Sequence, residues 1–209
     1  MLKQYTIEEA QRTILRRRRA NASYPQALMN SLSKRFGPGA TPEQAVSVIL
    51  ETIRTGGDSA VRKWSAELDR AEPETLAVPQ PRFEQAYDAI PEDLRTALEL
   101  SAERIRAFHK RQPIPSWETN EMGGTLGQRF TPVQRVGVYV PGGTAPLPSS
   151  LLMSVIPAQV AGVPDIMVCT PPGPDDSILA AAHICGLDTV FEIGGAQAVG
   201  AMAYGTETI

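Results

Sequence analysis

Two short glycine-bearing stretches hold the residues with the clearest chemical potential in this 209-residue chain. The first, VGVYVPGG, ends an apolar run at Pro141, Gly142 and Gly143, with Tyr139 two residues before the turn. The second, EIGGAQAVG, places Gly194 and Gly195 just ahead of Gln197. Backbone N–H groups in glycine turns that lead into helices suit phosphates and other anions. Neither stretch is a G-x-G-x-x-G fingerprint, and the Gly195 to Gly200 span lacks the following Lys-Ser/Thr of a P-loop. Spacing alone therefore supports an anion or nucleotide site no better than tight turns that let a helix pack closely.

The other chemistry-bearing residues read as structural. His109 stands beside Lys110 and Arg111 at the end of an apolar-periodic helix, where the dipole favours positive charge. His183 and Cys185 are two apart within an expected helix over 177–185 and so point to different faces, which argues against a shared metal. Cys169 and Cys185 are the only cysteines, and reduced, buried thiols are the expectation. Four consecutive arginines, Arg16 to Arg19, resemble a nucleic-acid patch, yet a net charge of −3 provides no wider basic field. A solvated or subunit-contacting face is the reading for that run.

The elements that must position these residues follow from periodicity. Val136, Val138, Tyr139 and Val140 read as a buried parallel strand, followed by a helix over 149–161 in which Ser149 and Ser150 cap and Leu152, Val155, Ile156 and Val160 recur at helical spacing. Strand 166–169 leads to helix 175–185 with Asp175 as cap, and strand 189–193 leads through Gly194-Gly195 to helix 196–204. Three strand–helix units with short connections predict a parallel sheet with right-handed crossovers.

Upstream the pattern is helical. Thr6 and Glu9 form a capping box for a first helix with Ile7, Ala10 and Ile14 on one face. Thr41-Pro42-Glu43-Gln44 starts a second, with Val46, Ile49, Leu50 and Ile53 buried; Gly56-Gly57 ends it and Asp58 caps the next, which buries Val61, Trp64 and Leu68. Leu76 to Val78 suits a short strand, a helix carries Phe83, Tyr87 and Ile90, and a longer one opens at Pro91 with Leu94, Leu98, Ile105 and Phe108 inward. Trp117 to Pro132, with Gly123, Gly124 and Gly127, suits a hairpin or an extended crossing. The fold class is α/β, a helical amino-terminal region followed by a Rossmann-like parallel sheet. The expected division is a helical region over 1–115, a linker or hairpin over 116–132 and a nucleotide-binding domain over 133–209.

Composition is that of a globular protein, 42% apolar and 21% charged. No apolar run approaches a membrane span, and the N-terminus lacks the order of a secretory signal, so a cytoplasmic location with no membrane or nucleic-acid partner is expected.

VGVYVPGG followed by PSSLLMSVIPAQVAGV, together with GGAQAVGAMAYGTETI, resembles the histidinol dehydrogenase family. The upstream GGDSAVRKWSAELD, AFHKRQ and GQRFTPVQRVGVYVPGG extend the resemblance over most of the chain. Two positions depart from it, Thr144 where lysine is usual and Leu147 where tyrosine is usual.

The resemblance implies NAD contacts at Tyr139 and Gln197, with Pro141, Gly142 and Gly143 lining the loop and Thr144, Gln159 and Glu192 as weaker candidates. It implies the amino-terminal half of an enzyme about twice as long, in which zinc and a histidine–glutamate pair act on an amino alcohol, L-histidinol, oxidised to L-histidine by NAD. The zinc ligands and catalytic acid and base are expected beyond Ile209, with none within this chain, which alone is expected to be inactive. A homodimer is implied for the full-length protein, with the first helix as an arm. The alternatives are a related zinc-dependent dehydrogenase of another polar alcohol, or a non-catalytic nucleotide-binding or dimer-forming module.

Overall fold

The computed structural model describes residues 4–15, 24–71, 75–112, 115–142 and 145–209. The arginine run at 16–19, Gly143 and Thr144 lie outside the described residues. The chain forms two compact units, Met1–Ala45 and Val46–Ile209.

In the first unit the Thr6–Glu9 capping box forms as expected: Glu9 N donates to Thr6 Oγ1 at 3.2 Å and Thr6 N to Glu9 Oε2 at 3.0 Å. The helix it starts, α1 (Ile7–Arg12), is shorter than its sequence suggests and buries nothing, with Ile7 78% and Ile14 62% exposed. A second helix, α2 (Gln26–Phe36), was not anticipated. Its punctuation was nevertheless present, with Pro25 before it and Gly37, at φ 102°, closing it. Thr41 and Gln44 exchange hydrogen bonds of 3.0 and 3.3 Å, a second capping box, at the start of α3 (Pro42–Trp64).

In the second unit α3 breaks at Gly57, whose backbone (φ 53°, ψ −139°) is open only to glycine. Asp58 does not act there as the simple cap its type suggests. Its N–H donates to Glu207 Oε2 at 2.7 Å, and its carboxylate takes the N–H and hydroxyl of Thr208. Ile49, Ile53, Val61 and Trp64 are buried as expected, whereas Val46 is 42% exposed. A single π-helical turn, Ser65–Asp69, ends the segment.

Helices α4 (Pro81–Ala89) and α5 (Glu92–His109) follow, then the hairpin of β1 (Trp117–Thr119) and β2 (Leu126–Gln128), which pair antiparallel. Phe108 is 60% exposed, contrary to its expected inward position, because the inward stripe of Leu98, Ala102 and Ile105 continues at His109 and leaves Phe108 off that face.

The sheet is parallel, with strand order β3 (Arg135–Tyr139), β4 (Asp165–Thr170), β5 (Phe191–Glu192). Register runs from Arg135 opposite Asp165 to Tyr139 opposite Cys169, then Cys169 opposite Phe191. β5 is shorter than expected. Its outer edge is taken by the 76–78 segment, where Val78 N donates to Val190 O at 2.8 Å and Glu192 N to Leu76 O at 2.7 Å.

α6 (Pro148–Val160) and α7 (Asp176–Ile184) connect the strands, with α5 against α6 and α4 against α7. Ser149 and Ser150 do not cap α6. Leu147 stands at its N-cap, and Pro148, with no N–H to satisfy, opens the first turn. Asp175 does cap α7, accepting from Ser177 N at 2.9 Å. The core runs through Val138, Val140, Val168, Leu151, Leu152, Ile156, Ile178 and Leu179, all buried. Each large side chain so removed from water contributes roughly 1.5–3 kcal/mol. The last helix, α8 (Gly195–Tyr204), lies against β3 and β4.

Candidate functional site

The carboxyl ends of the three strands bring together Tyr139, Pro141, Gly142, Thr170, Glu192 and the Gly194–Gln197 turn. In open α/β sheets this is the edge at which ligands bind. β3 and β5 are separated by β4, yet their ends meet directly: Gly195 N donates to the Tyr139 hydroxyl at 3.2 Å. Tyr139 is 37% exposed, so one side of its ring stays open while its oxygen holds the turn. Gly142 sits over the end of β4, where a Cβ would lie 3.2 Å from Pro171 Cδ and 3.3 Å from Thr170 Oγ1. That hydroxyl is buried and has no hydrogen-bond partner.

Gln197 is wholly buried. Its Nε2 donates to Asp69 Oδ2 at 2.9 Å, and its Oε1 has no partner. The carboxylate of Asp69 also stands against Gly194. Burial pushes the Asp69 carboxyl above its ordinary value, and the polar contacts with the Gly194 backbone and Gln197 only partly oppose this. Asp69 escaped the sequence reading. The one signal available was a carboxylate at the end of an apolar helix stripe, which is ordinary on any helix.

The glycines fit this corner closely. A Cβ at Gly194 would lie 2.8 Å from Asp69 Oδ1, and one at Gly195, where φ is 53°, would lie 2.8 Å from Gln197 Oε1.

Glu192 shares this edge, and the remaining candidates lie elsewhere. Glu192 Oε2 accepts from Gly173 N at 3.2 Å beside the turn after β4. Gln159 donates to Cys185 O at 2.7 Å and lines a cavity of about 440 Å³ with Arg135 and Asp165, at the amino ends of the strands. His109 lines a separate cavity of about 500 Å³ with Phe130 and Pro157. His183 stacks on Tyr87, with ring centroids 4.8 Å apart.

Both cysteines are free and buried, which pushes the Cys169 thiol up to about 12 and that of Cys185 up to about 11. Thiolate is the form that binds metals and attacks, so these side chains serve packing. Among the described residues no three His, Cys, Asp or Glu side chains cluster as a metal site, and no helix is long and apolar enough to cross a membrane.

A parallel sheet whose strand ends carry two glycine turns and an aromatic ring defines an α/β protein with an open corner at that edge. The chain belongs to the histidinol dehydrogenase family, whose model matches residues 38–209.

It is 46% identical over 202 residues to histidinol dehydrogenase of Deinococcus radiodurans, covering 95% of this chain and 46% of that protein. It is 49% identical over 168 residues to histidinol dehydrogenase of Natronomonas pharaonis, covering 79% of this chain and 40% of the relative. The crystal structure of histidinol dehydrogenase from Elizabethkingia anophelis superposes with a TM-score of 0.76 at 31% identity, over 89% of this chain and 44% of that one. The chain thus spans less than half the length of the relatives it matches.

Proposed function

We propose that this chain is the amino-terminal portion of an NAD- and zinc-dependent histidinol dehydrogenase that oxidises L-histidinol to L-histidine, and that its part is to seat NAD. The observation that carries the reading is the hydrogen bond from the second glycine turn to the end of β3, Gly195 N to Tyr139 Oη, at the carboxyl edge of a parallel sheet. Tyr139 would offer its open ring face to a flat base. Pro141 and Gly142 would line the approach, with Gly143 continuing the loop.

The residues fit such a ligand: Thr170 Oγ1 and Gln197 Oε1 are buried polar atoms without partners beside the corner, and a Cβ at position 142 would fill part of it. Gln197 is covered, so its carboxamide reaches a ligand only if the Gly194–Gly195 turn or Asp69 shifts. When bound, NAD accepts the hydride, while this chain orients it. Zinc finds no cluster of ligands among the described residues. Its ligands and the acid–base pair are assigned to sequence beyond residue 209. The full-length protein is proposed to be a cytoplasmic homodimer, with the α1 segment as an intersubunit arm.

Titrating NAD into the chain by calorimetry tests the seat: Tyr139→Ala should abolish saturable binding, and unchanged affinity would remove Tyr139 from it. Turnover of L-histidinol should require a chain extended past Ile209; measurable turnover by the 209 residues alone refutes the division of labour.

A further inference from the structure

Asp69 ends the π-helical turn Ser65–Asp69 and is followed by Arg70 in the left-handed conformation (φ 56°, ψ 36°). Single π-helical turns are rare and recur at functional sites. Here the turn brings a carboxylate against the start of α8, 128 residues from Gln197 in sequence. Gly194 is the N-cap of α8 and has no side chain with which to cap it.

A helix N-terminus carries partial positive charge and ordinarily attracts anions. At α8 the Gly195 N–H goes to Tyr139 Oη at 3.2 Å, and the Asp69 carboxylate, held by Gln197 Nε2 at 2.9 Å, stands against Gly194. The distances from the Gly194 Cβ position to the two Asp69 oxygens, 2.8 and 2.9 Å, put both against the turn. A phosphate arriving there would meet a carboxylate of like charge where solvent screening is incomplete.

We propose that Asp69 is a positioning residue that fixes the Gly194–Gly195 turn and closes the α8 N-terminus to phosphate, so that a nucleotide at this corner turns an uncharged, hydroxyl-bearing portion towards it. A carboxylate offers about four lone-pair sites. Those left by Gln197 accept hydroxyl donors and repel phosphate. The identity of the ligand rests on the nucleotide reading above, but the exclusion of phosphate does not.

Inorganic phosphate titrated into the isotope-labelled chain, followed by amide NMR, tests the inference. In the wild type the amides of residues 194–197 should show no saturable shift, and Gly194 N–H should be protected from exchange. Asp69→Asn keeps the shape and loses the charge, and it should give saturable shifts at those amides, with phosphate bound about tenfold or more tighter. Equal shifts in both proteins, or rapid exchange at Gly194 in the wild type, would overturn it. The wild-type measurements decide even if the variant folds poorly. Failure of NAD to bind while the phosphate contrast holds removes the nucleotide reading and leaves Asp69 its role. NAD binding without the contrast removes only this inference.

Discussion

The break in α3 at Gly57 and the entry to α8 at Gly194 meet one need in two electrostatic settings. In each, a helix begins beside a glycine, and a carboxylate from a distant part of the sequence packs against that start. Glu207 accepts from Asp58 N across 149 residues, and Asp69 lies against Gly194 while accepting from Gln197 Nε2.

Around Gly57 the acids are well supplied with donors. Burial alone would raise the Asp58 carboxyl, but Thr206, Thr208 and Arg62 outweigh it and hold it below the ordinary value. Around Gly194 burial wins, and Asp69 is raised. The first arrangement ties down the chain's last residues. The second leaves an acid that is costly to ionise at the edge where ligands bind, as groups at working sites often are.

The largest contrast should come from the glycines. Gly57→Ala should lower stability by about 1–3 kcal/mol in urea unfolding, because its backbone angles are closed to other residues, and the new Cβ would also fall among the Glu207 carboxylate atoms. Gly194→Ala has no such backbone conflict and should cost less, displacing Asp69 while the NAD affinity falls. An equal loss from both would break the comparison.

Next in size, Asp69→Ala should cost about 1–3 kcal/mol, since it strips the buried Gln197 amide of its partner. Asp58→Ala, whose partners can turn to water, should cost about 0.5–1.5 kcal/mol by the same measurement.

The smallest effect is in pH dependence, and its sign differs between the two acids. Asp58, with its folded value lowered, contributes stability above the ordinary value of 3.8 that is lost as pH falls below it. Asp69, with its folded value raised, contributes stability below 3.8 that is lost as pH rises through the folded value. Unfolding midpoints across the acid range should therefore show Asp58→Asn flattening the low-pH decline. Asp69→Asn should instead flatten a decline on the high side of 3.8, and slopes of the same sign would refute the assignment.

Much of the scaffold was legible in the sequence because its signals are local. The capping boxes at Thr6 and Thr41, the Asp175 cap and the apolar stripes of α4, α5 and α6 need only neighbours within a few residues. The β-branched run before Pro141 and the glycines after each strand marked the carboxyl ends of the sheet in the same way. Errors fell where position in the whole decided: Val46 and Phe108 carry the right residue type on the wrong side. α2 was missed although Leu28, Met29, Leu32 and Phe36 recur in it at helical spacing, and none of its residues is buried.

What the sequence alone determined was therefore the succession of helices and strands and the kind of residue at each strand end, since propensity, capping and periodicity act over one or two turns. Tertiary structure decided that Tyr139 would hold the Gly195 turn across β4, that Gln197 would be covered, and that Asp69 would reach α8. Those partners stand 56 and 128 residues apart, and only packing of the sheet against its helices fixes which distant groups share a corner and how little water they keep.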